Sequence, residues 1–127
     1  IKLILLALNY AGIQMLLLRR TYPELQENHI VQLKGILHDI AIYHSQENVS
    51  IFPNGSRLKM GYCKREDDVL QFQGQAYDVI ALDEATHFTE FQFQALTESN
   101  RALGLCKKPF SPRMYLRTPL GEAFVRR

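Results

Sequence analysis

Asp78-Val79-Ile80-Ala81-Leu82-Asp83-Glu84 is the stretch that decides the fold of this 127-residue chain. A short apolar run passes directly into two adjacent acids. A run this short and this apolar reads as a β-strand buried on both faces, the pattern of a parallel sheet covered by helices. Two carboxylates at the end of such a strand need a partner or a task, because an ionised group is costly to hold unpaired away from water.

Working outward, residues 2–10 have helical spacing, with Leu3, Leu6 and Tyr10 on one face, and Gly12 breaks the pattern. Met15 to Leu18 is a second short apolar run and ends at Arg19-Arg20. Thr21-Tyr22-Pro23-Glu24 then reads as a helix start: Thr21 can cap, Glu24 can close the capping box, and proline fits the first turn. Leu25, His29, Leu33, Ile36 and Ile40 continue at helical spacing. Asn54-Gly55 is a strong hairpin signal, since a two-residue type I′ turn needs positive φ at both positions. Such a turn predicts Ile51 opposite Leu58 and Val49 opposite Met60, with those four side chains on one face and Ser50 and Lys59 on the other. Asp67-Asp68 can cap a short helix ending at Gly74. After the acidic strand, Thr89 and Gln92 form a capping box for a helix over 90–101, with Phe88 and Phe93 placed as a hydrophobic staple. Residues 104–112 read as a loop and Met114 to Leu116 as a third short strand. No linker, repeat or low-complexity tract divides the chain.

Short buried strands alternating with helices predict an α/β fold with a mostly parallel sheet, here carrying an added hairpin. In such a sheet ligands bind at the carboxyl ends of the strands. All three candidate strands end in polar or charged residues: Arg19-Arg20, Asp83-Glu84 and Arg117-Thr118. One edge would collect them.

Composition excludes some classes. The apolar fraction of 46% is that of a globular chain rather than a disordered one. A net charge of +2 is too small to argue for nucleic acid by itself. Cys63 and Cys106 form no C-x-x-C pair and have no metal-ligand spacing with the histidines, so two free thiols in a reducing, intracellular setting are expected. Ile1 to Leu18 is interrupted by Lys2, Asn9, Tyr10 and Gln14, too polar for a membrane span, and it lacks the small-residue cleavage site after a single apolar block that a signal peptide has.

The chemistry of the two acids can be stated from their types. Magnesium prefers oxygen ligands, keeps several waters, and is commonly held by one or two carboxylates together with phosphate oxygens. Asp83 at a rigid strand end suits that task. Strand alternation would then point Glu84 the other way, toward a water beyond the terminal phosphate. The plain alternative is that Asp83 opens a turn and Glu84 is a solvated acid in the first turn of the next helix. Arg19 and Arg20 suit phosphate or a neighbouring subunit, the alternative being a solvated strand end. His87 reads as a packing residue at the helix start, and Arg101 as a cation favoured at a helix end. Phe91 and Phe93 read as core residues, and Lys107-Lys108 as solvated.

Several segments together resemble the large terminase subunits of tailed phages: Leu18-Arg19-Arg20-Thr21-Tyr22-Pro23-Glu24-Leu25, Phe52-Pro53-Asn54-Gly55-Ser56 followed by Leu58-Lys59-Met60-Gly61-Tyr62, Gln73-Gly74 ahead of Tyr77, Asp83-Glu84-Ala85-Thr86-His87-Phe88-Thr89-Glu90, and Arg113-Met114-Tyr115-Leu116. The resemblance spans nearly the whole chain, in order. It implies a three-layer P-loop NTPase-like fold, incomplete at the N-terminus, with residues 1–127 as a partial ATPase domain separate from the family's C-terminal nuclease domain. It further implies an ATP-hydrolysing motor that pumps viral DNA into a procapsid in the cytoplasm of a bacterial host. Asp83 would be the magnesium acid, Glu84 the catalytic acid, and Arg19 and Thr118 would lie near the nucleotide. Mg²⁺ and ATP are the implied cofactors; double-stranded DNA, the portal protein, the small terminase subunit and further copies of the chain are the implied partners. Two departures stand out. No G-x-x-x-x-G-K-[S/T] phosphate loop occurs in the sequence, and residues 1–10 resemble the helix that follows one, so the chain is expected to start just after that loop. Arg117-Thr118-Pro119-Leu120-Gly121 stands where the family tends to have an Asn-Pro-Gly-Gly run. Two alternatives remain open from the residues: a helicase-like P-loop NTPase fragment, or a degenerate prophage remnant or assembly module that binds no nucleotide.

Overall fold

The computed structural model describes residues 2–20, 30–72, 74–102, 104–108, 110–118 and 121–126. Helix α1 (Lys2–Asn9) leads into β1 (Gln14–Arg19), then α2 (Val31–Ile36), β2 (Ile42–His44), β3 (Val49–Ile51) and β4 (Arg57–Tyr62). A 3₁₀ segment (Glu66–Phe72) precedes β5 (Val79–Asp83). A 3₁₀ turn (Ala85–His87), α3 (Glu90–Ser99), β6 (Arg113–Thr118) and β7 (Gly121–Arg126) complete the order.

The strands form one sheet in the order β2-β3-β4-β1-β5-β6-β7. β4, β1, β5 and β6 are parallel neighbours. β2 and β3 extend one side antiparallel, and β7 folds back on β6. This is the expected mostly parallel α/β sheet. The expected hairpin, β3 and β4, lies in the chain between β1 and β5 and joins the sheet through β4, which pairs with β1 along its whole length.

Side-chain alternation along the central strands builds the layers. Met15 and Leu17 of β1, with Val79 and Ala81 of β5, face α1 and bury against Ile4, Ala7, Ile30 and Leu37. Leu16 and Leu18, with Ile80 and Leu82, face the other way onto Val69, Phe72 and Leu96. A sheet covered on both faces needs apolar residues at every central position, and β5 is buried throughout. α3 begins as its sequence predicts: the Thr89 hydroxyl accepts from Gln92 N–H, and the Gln92 side chain accepts from Thr89 N–H. Phe88 and Phe93 both pack on the core beneath it, whereas Phe91 is exposed rather than core.

Several expectations are corrected. In α1 the buried residues are Ile4 and Ala7, with Leu3, Leu6 and Tyr10 packed at the margin. The expected helix start at Thr21 to Glu24, with Leu25 and His29, lies outside the described residues. Downstream, Ile30 and Leu37 face the core, Ile36 is half exposed, and Ile40 lies beyond the end of α2. The segment 66–72 is 3₁₀, and Asp68 does not cap it: its carboxylate reaches back to accept from Arg65 N–H. Strands β2 and β7 were not expected.

The hairpin register also differs. Ile51 pairs with Arg57, Ser50 with Leu58 and Val49 with Lys59. The connection is the five residues 52–56, and of Asn54 and Gly55 only Gly55 has positive φ. The reason is tertiary. The Asn54 amide donates to Ala7 O at 2.8 Å, and the Ser56 hydroxyl lies 2.9 Å from both Ala7 O and Tyr10 O. The loop thus satisfies carbonyls at the end of α1 that no helical N–H can reach. Those bonds, not a type I′ turn, set the pairing.

At the amino end of the sheet, Asp78 is fully buried and its carboxylate accepts from Gln14 N–H at 2.9 Å, tying β1 to β5. Burial raises its pKa, with the Gln14 hydrogen bond pulling the other way. The buried Asn100 amide nitrogen sits 3.0 to 3.3 Å from the carbonyls of Tyr77, Asp78 and Arg113, joining α3 to β5 and β6. These polar groups tie the framework together at the amino end of the sheet.

Candidate active site

The parallel register brings the carboxyl ends of β1, β5 and β6 into one row. Leu18 lies beside Leu82, Leu82 beside Leu116, and Asp83 beside Arg117. The next residue of β1 is Arg19, which therefore reaches Asp83. The Arg19 side chain donates through Nη1 to Asp83 Oδ2 and through Nη2 to Glu84 Oε1, both at 2.6 Å. Arg19 is 8% exposed and Asp83 5%, so this is a buried ion pair rather than a solvated strand end. A guanidinium, planar and forked, can take two carboxylates at once where an ammonium could not do so with the same geometry.

The expectation that Asp83 and Glu84 point to opposite sides is overturned. Glu84 has left the strand. Its backbone lies in the left-handed region at φ 54° and ψ 57°, a conformation a non-glycine residue adopts at some cost. Its N–H donates to Asp83 Oδ1 at 3.0 Å. That turn swings the second carboxylate back toward the first, and both meet the same arginine. Glu84 remains partly accessible at the rim, so the plain alternative of a freely solvated acid does not hold either.

Two further contacts complete the cluster. His87 Nδ1 lies 3.0 Å from Glu84 Oε2, and Arg20 donates through Nη1 to the His87 carbonyl. Sequence reasoning assigned His87 to packing and missed the pairing. The available signal was the Glu84-x-x-His87 spacing, because a 3₁₀ turn places residues i and i+3 one above the other. Arg117 Nε stands 3.6 Å from Asp83 Oδ1 on a mostly exposed side chain. Thr118 lies on the same rim, with its hydroxyl donating to Gly121 O at 3.2 Å. The Lys107-Lys108 pair is exposed, as a plain reading expects, whereas Arg101 is exposed just past the helix, which ends at Ser99 with Asn100 as its cap.

A cavity of about 870 Å³ opens over this edge. Its lining includes Lys2 and Leu3 at the amino end of α1, together with Arg19, Asp83, Glu84 and Thr118. Among the described residues no group of three or more His, Cys, Asp or Glu side chains is arranged to hold a metal. Asp83 lines that cavity from a rigid strand end with Oδ2 on Arg19 and Oδ1 on Glu84 N–H, and a carboxylate is the ligand type that a hard cation with its own waters takes.

Residues 3–118 match the family model described as "Terminase large subunit, T4likevirus-type, N-terminal". The chain belongs to the large terminase subunit family. The solved structure of the large terminase from a thermophilic bacteriophage (crystal form 2) is similar to it with a TM-score of 0.69 and 15% sequence identity. The match covers 92% of this chain and 29% of that one. At that identity the likeness shows the fold. No curated protein matches the chain. Within this terminase segment, then, three of the sequence-predicted residues, Arg19, Asp83 and Glu84, form one hydrogen-bonded cluster, and Thr118 lines the same cavity.

Proposed function

We propose that this chain carries the metal-holding and water-activating acids of the ATPase that drives DNA packaging, Asp83 and Glu84. The observation that supports the reading most is their position: adjacent acids at the carboxyl end of a central parallel strand, facing a cavity shared with the amino end of α1. That is where an open α/β sheet binds its ligand.

In this reading Asp83 would hold Mg²⁺, which when bound would neutralise charge on the phosphate oxygens. Glu84 orients the attacking water and takes its proton, a general-base role within reach of a carboxylate at the rim. Arg19 fixes both acids and keeps their like charges side by side. Thr118 lies on the same rim and would respond to the terminal phosphate. The sequence contains no G-x-x-x-x-G-K-[S/T] phosphate loop. The described site therefore offers acids but no backbone cradle for phosphates, and the 127-residue chain by itself should bind Mg-ATP weakly.

Double-stranded DNA, the portal protein, the small terminase subunit and further copies of the chain are the proposed partners, and the host-cell cytoplasm the proposed site of action. No described helix is long and apolar enough to cross a membrane. The direct test is Glu84→Gln in the full product of the gene. ATP hydrolysis should fall by a factor on the order of 100 or more while nucleotide binding persists. Hydrolysis at the parental rate would remove Glu84 from the proposed role.

A further inference from the structure

We propose that His87 is a positioning residue for the Glu84 carboxylate, an inference that rests on the catalytic role proposed above for Glu84. Both oxygens of that carboxylate are engaged. Oε1 accepts from Arg19 Nη2 at 2.6 Å, and Oε2 faces His87 Nδ1 at 3.0 Å. An ionised carboxylate can only accept, so the ring nitrogen that faces it carries a proton. A neutral His87 is thereby fixed as the Nδ1–H tautomer.

The backbone is arranged to make this contact. Glu84 adopts the left-handed conformation, and the 3₁₀ turn Ala85–His87 follows at once. His87 N–H donates to Glu84 O at 2.9 Å, closing the turn. With three residues per turn, the side chain of residue 87 falls over that of residue 84. Arg20 anchors the far side of the turn through the His87 carbonyl, so the end of β1 braces it. The charged groups around the pair are Arg19 and Arg20 from β1 and its end, Asp83 from β5, and Arg117 from β6. The ring itself is about half exposed, with side-chain accessibility of 51%, so its burial contributes little to the core. The contact serves Glu84. Without it one carboxylate oxygen would swing free on a side chain with three rotatable bonds, and a general base out of line loses rate steeply.

The test uses the full gene product and a conservative rescue. His87→Ala should lower kcat for ATP hydrolysis by roughly tenfold or more, the scale typical of partners that orient an active group, with KM for Mg-ATP little changed. His87→Asn places an amide N–H near the position of Nδ1 and should restore most of that loss. A purely structural role would move neither ratio in this pattern. An independent readout needs no nucleotide. In ¹⁵N-histidine-labelled protein, at a pH where the imidazole is neutral, the His87 resonances should report Nδ1–H, and Glu84→Ala should return the ring to the Nε2–H form that free histidine favours. Parental kcat in both His87 variants, or an Nε2–H ring in the parent, overturns the proposal. If Glu84→Gln abolishes hydrolysis while the His87 variants do not, the catalytic reading of Glu84 stands and only the positioning role fails. If Glu84→Gln hydrolyses normally, both fall.

Discussion

Replacing Arg19 by methionine should destabilise the chain measurably, because the side chain is the buried counterion of Asp83. Arg19→Met keeps most of the aliphatic volume and removes both 2.6 Å hydrogen bonds. Breaking a buried ion pair from one side typically costs about 3–5 kcal/mol, since the other charge is left behind. Two features lower that figure here. Asp83 Oδ1 still accepts from Glu84 N–H at 3.0 Å, and Asp83 lines a cavity large enough for water to reach the carboxylate once Arg19 is gone. Arg117 compensates little, because it stands 3.6 Å away on a side chain that is 65% exposed. The expected loss is therefore about 2–3 kcal/mol, or roughly 10 °C in Tm for a chain of this size. Adding Asp83→Asn removes the stranded charge and should recover about 1–2 kcal/mol, a coupling expected of residues in direct contact. Arg117→Met, the control, should stay within about 0.5 kcal/mol of the parent. The chain has no tryptophan, so urea unfolding is best followed by far-ultraviolet circular dichroism, with the slope checked for constancy. An Arg19→Met midpoint indistinguishable from the parent, or a double variant no more stable than the single, would refute the reasoning.

Three further outcomes are expected. Gly12→Ala should prevent folding or cost more than about 3 kcal/mol by thermal melt, because φ is +83° and a Cβ would stand 2.1 Å from the Leu105 carbonyl oxygen. In alkylation followed by mass spectrometry at about pH 8, Cys106 should react while Cys63 stays unmodified until urea is added: burial, with Asp68 adding to it, pushes the Cys63 thiol up to about 12. Asp78→Asn should gain stability relative to the parent as pH rises from about 3 to about 7. Burial raises the folded-state Asp78 carboxyl above the ordinary 3.8, so the folded chain holds that proton more tightly than the unfolded chain. Its stabilising effect is complete below the ordinary value and is lost as pH rises through the raised one; a flat difference between the two urea midpoints across that range would contradict this.

The sheet was legible where burial is two-sided. Met15 to Leu18, Val79 to Leu82 and Met114 to Leu116 are short unbroken apolar runs because each sits between two layers. The start of α3 was legible because a capping box is local chemistry: Thr89 and Gln92 satisfy each other's backbone without help from the rest of the chain. What escaped was settled at long range. Ile42-Tyr43-His44 is short, and Ile42 is exposed, so neither length nor periodicity marks it; pairing with β3 creates the strand. The hairpin register escaped because Asn54 and Ser56 bond to the end of α1, a partner more than forty residues away. At α2 the expected Ile36 is exposed, and the core instead takes Ile30 and Leu37 just beyond either end of the helix, with Ile40 packed at its margin.

The candidate site divides along the same line. That polar strand ends collect at one edge follows from parallel pairing alone, so Arg19, Asp83, Glu84 and Thr118 could be placed together from the sequence. How they meet could not. Strand alternation is a sound rule for two residues that are both in a strand, and it fails here because Glu84 is not. A single left-handed residue reverses the direction of the second acid, brings it onto the same guanidinium as the first, and starts the tight turn that returns His87 to its second oxygen. The conformational cost at Glu84 is thus opposed by several polar contacts: Arg19 on Oε1, His87 on Oε2, and the Glu84 N–H on Asp83. A residue held in an uncommon backbone region by that many directed bonds is over-determined, and over-determination is what keeps such strain in place at working sites. The same logic makes the contacts interdependent. Loss of Arg19 should loosen Glu84 as well as strand Asp83, so the effects of Arg19→Met and His87→Ala on Glu84 should be non-additive, whereas those of Arg19→Met and a framework change at the opposite end of the sheet, such as Asn100→Ala, should simply sum.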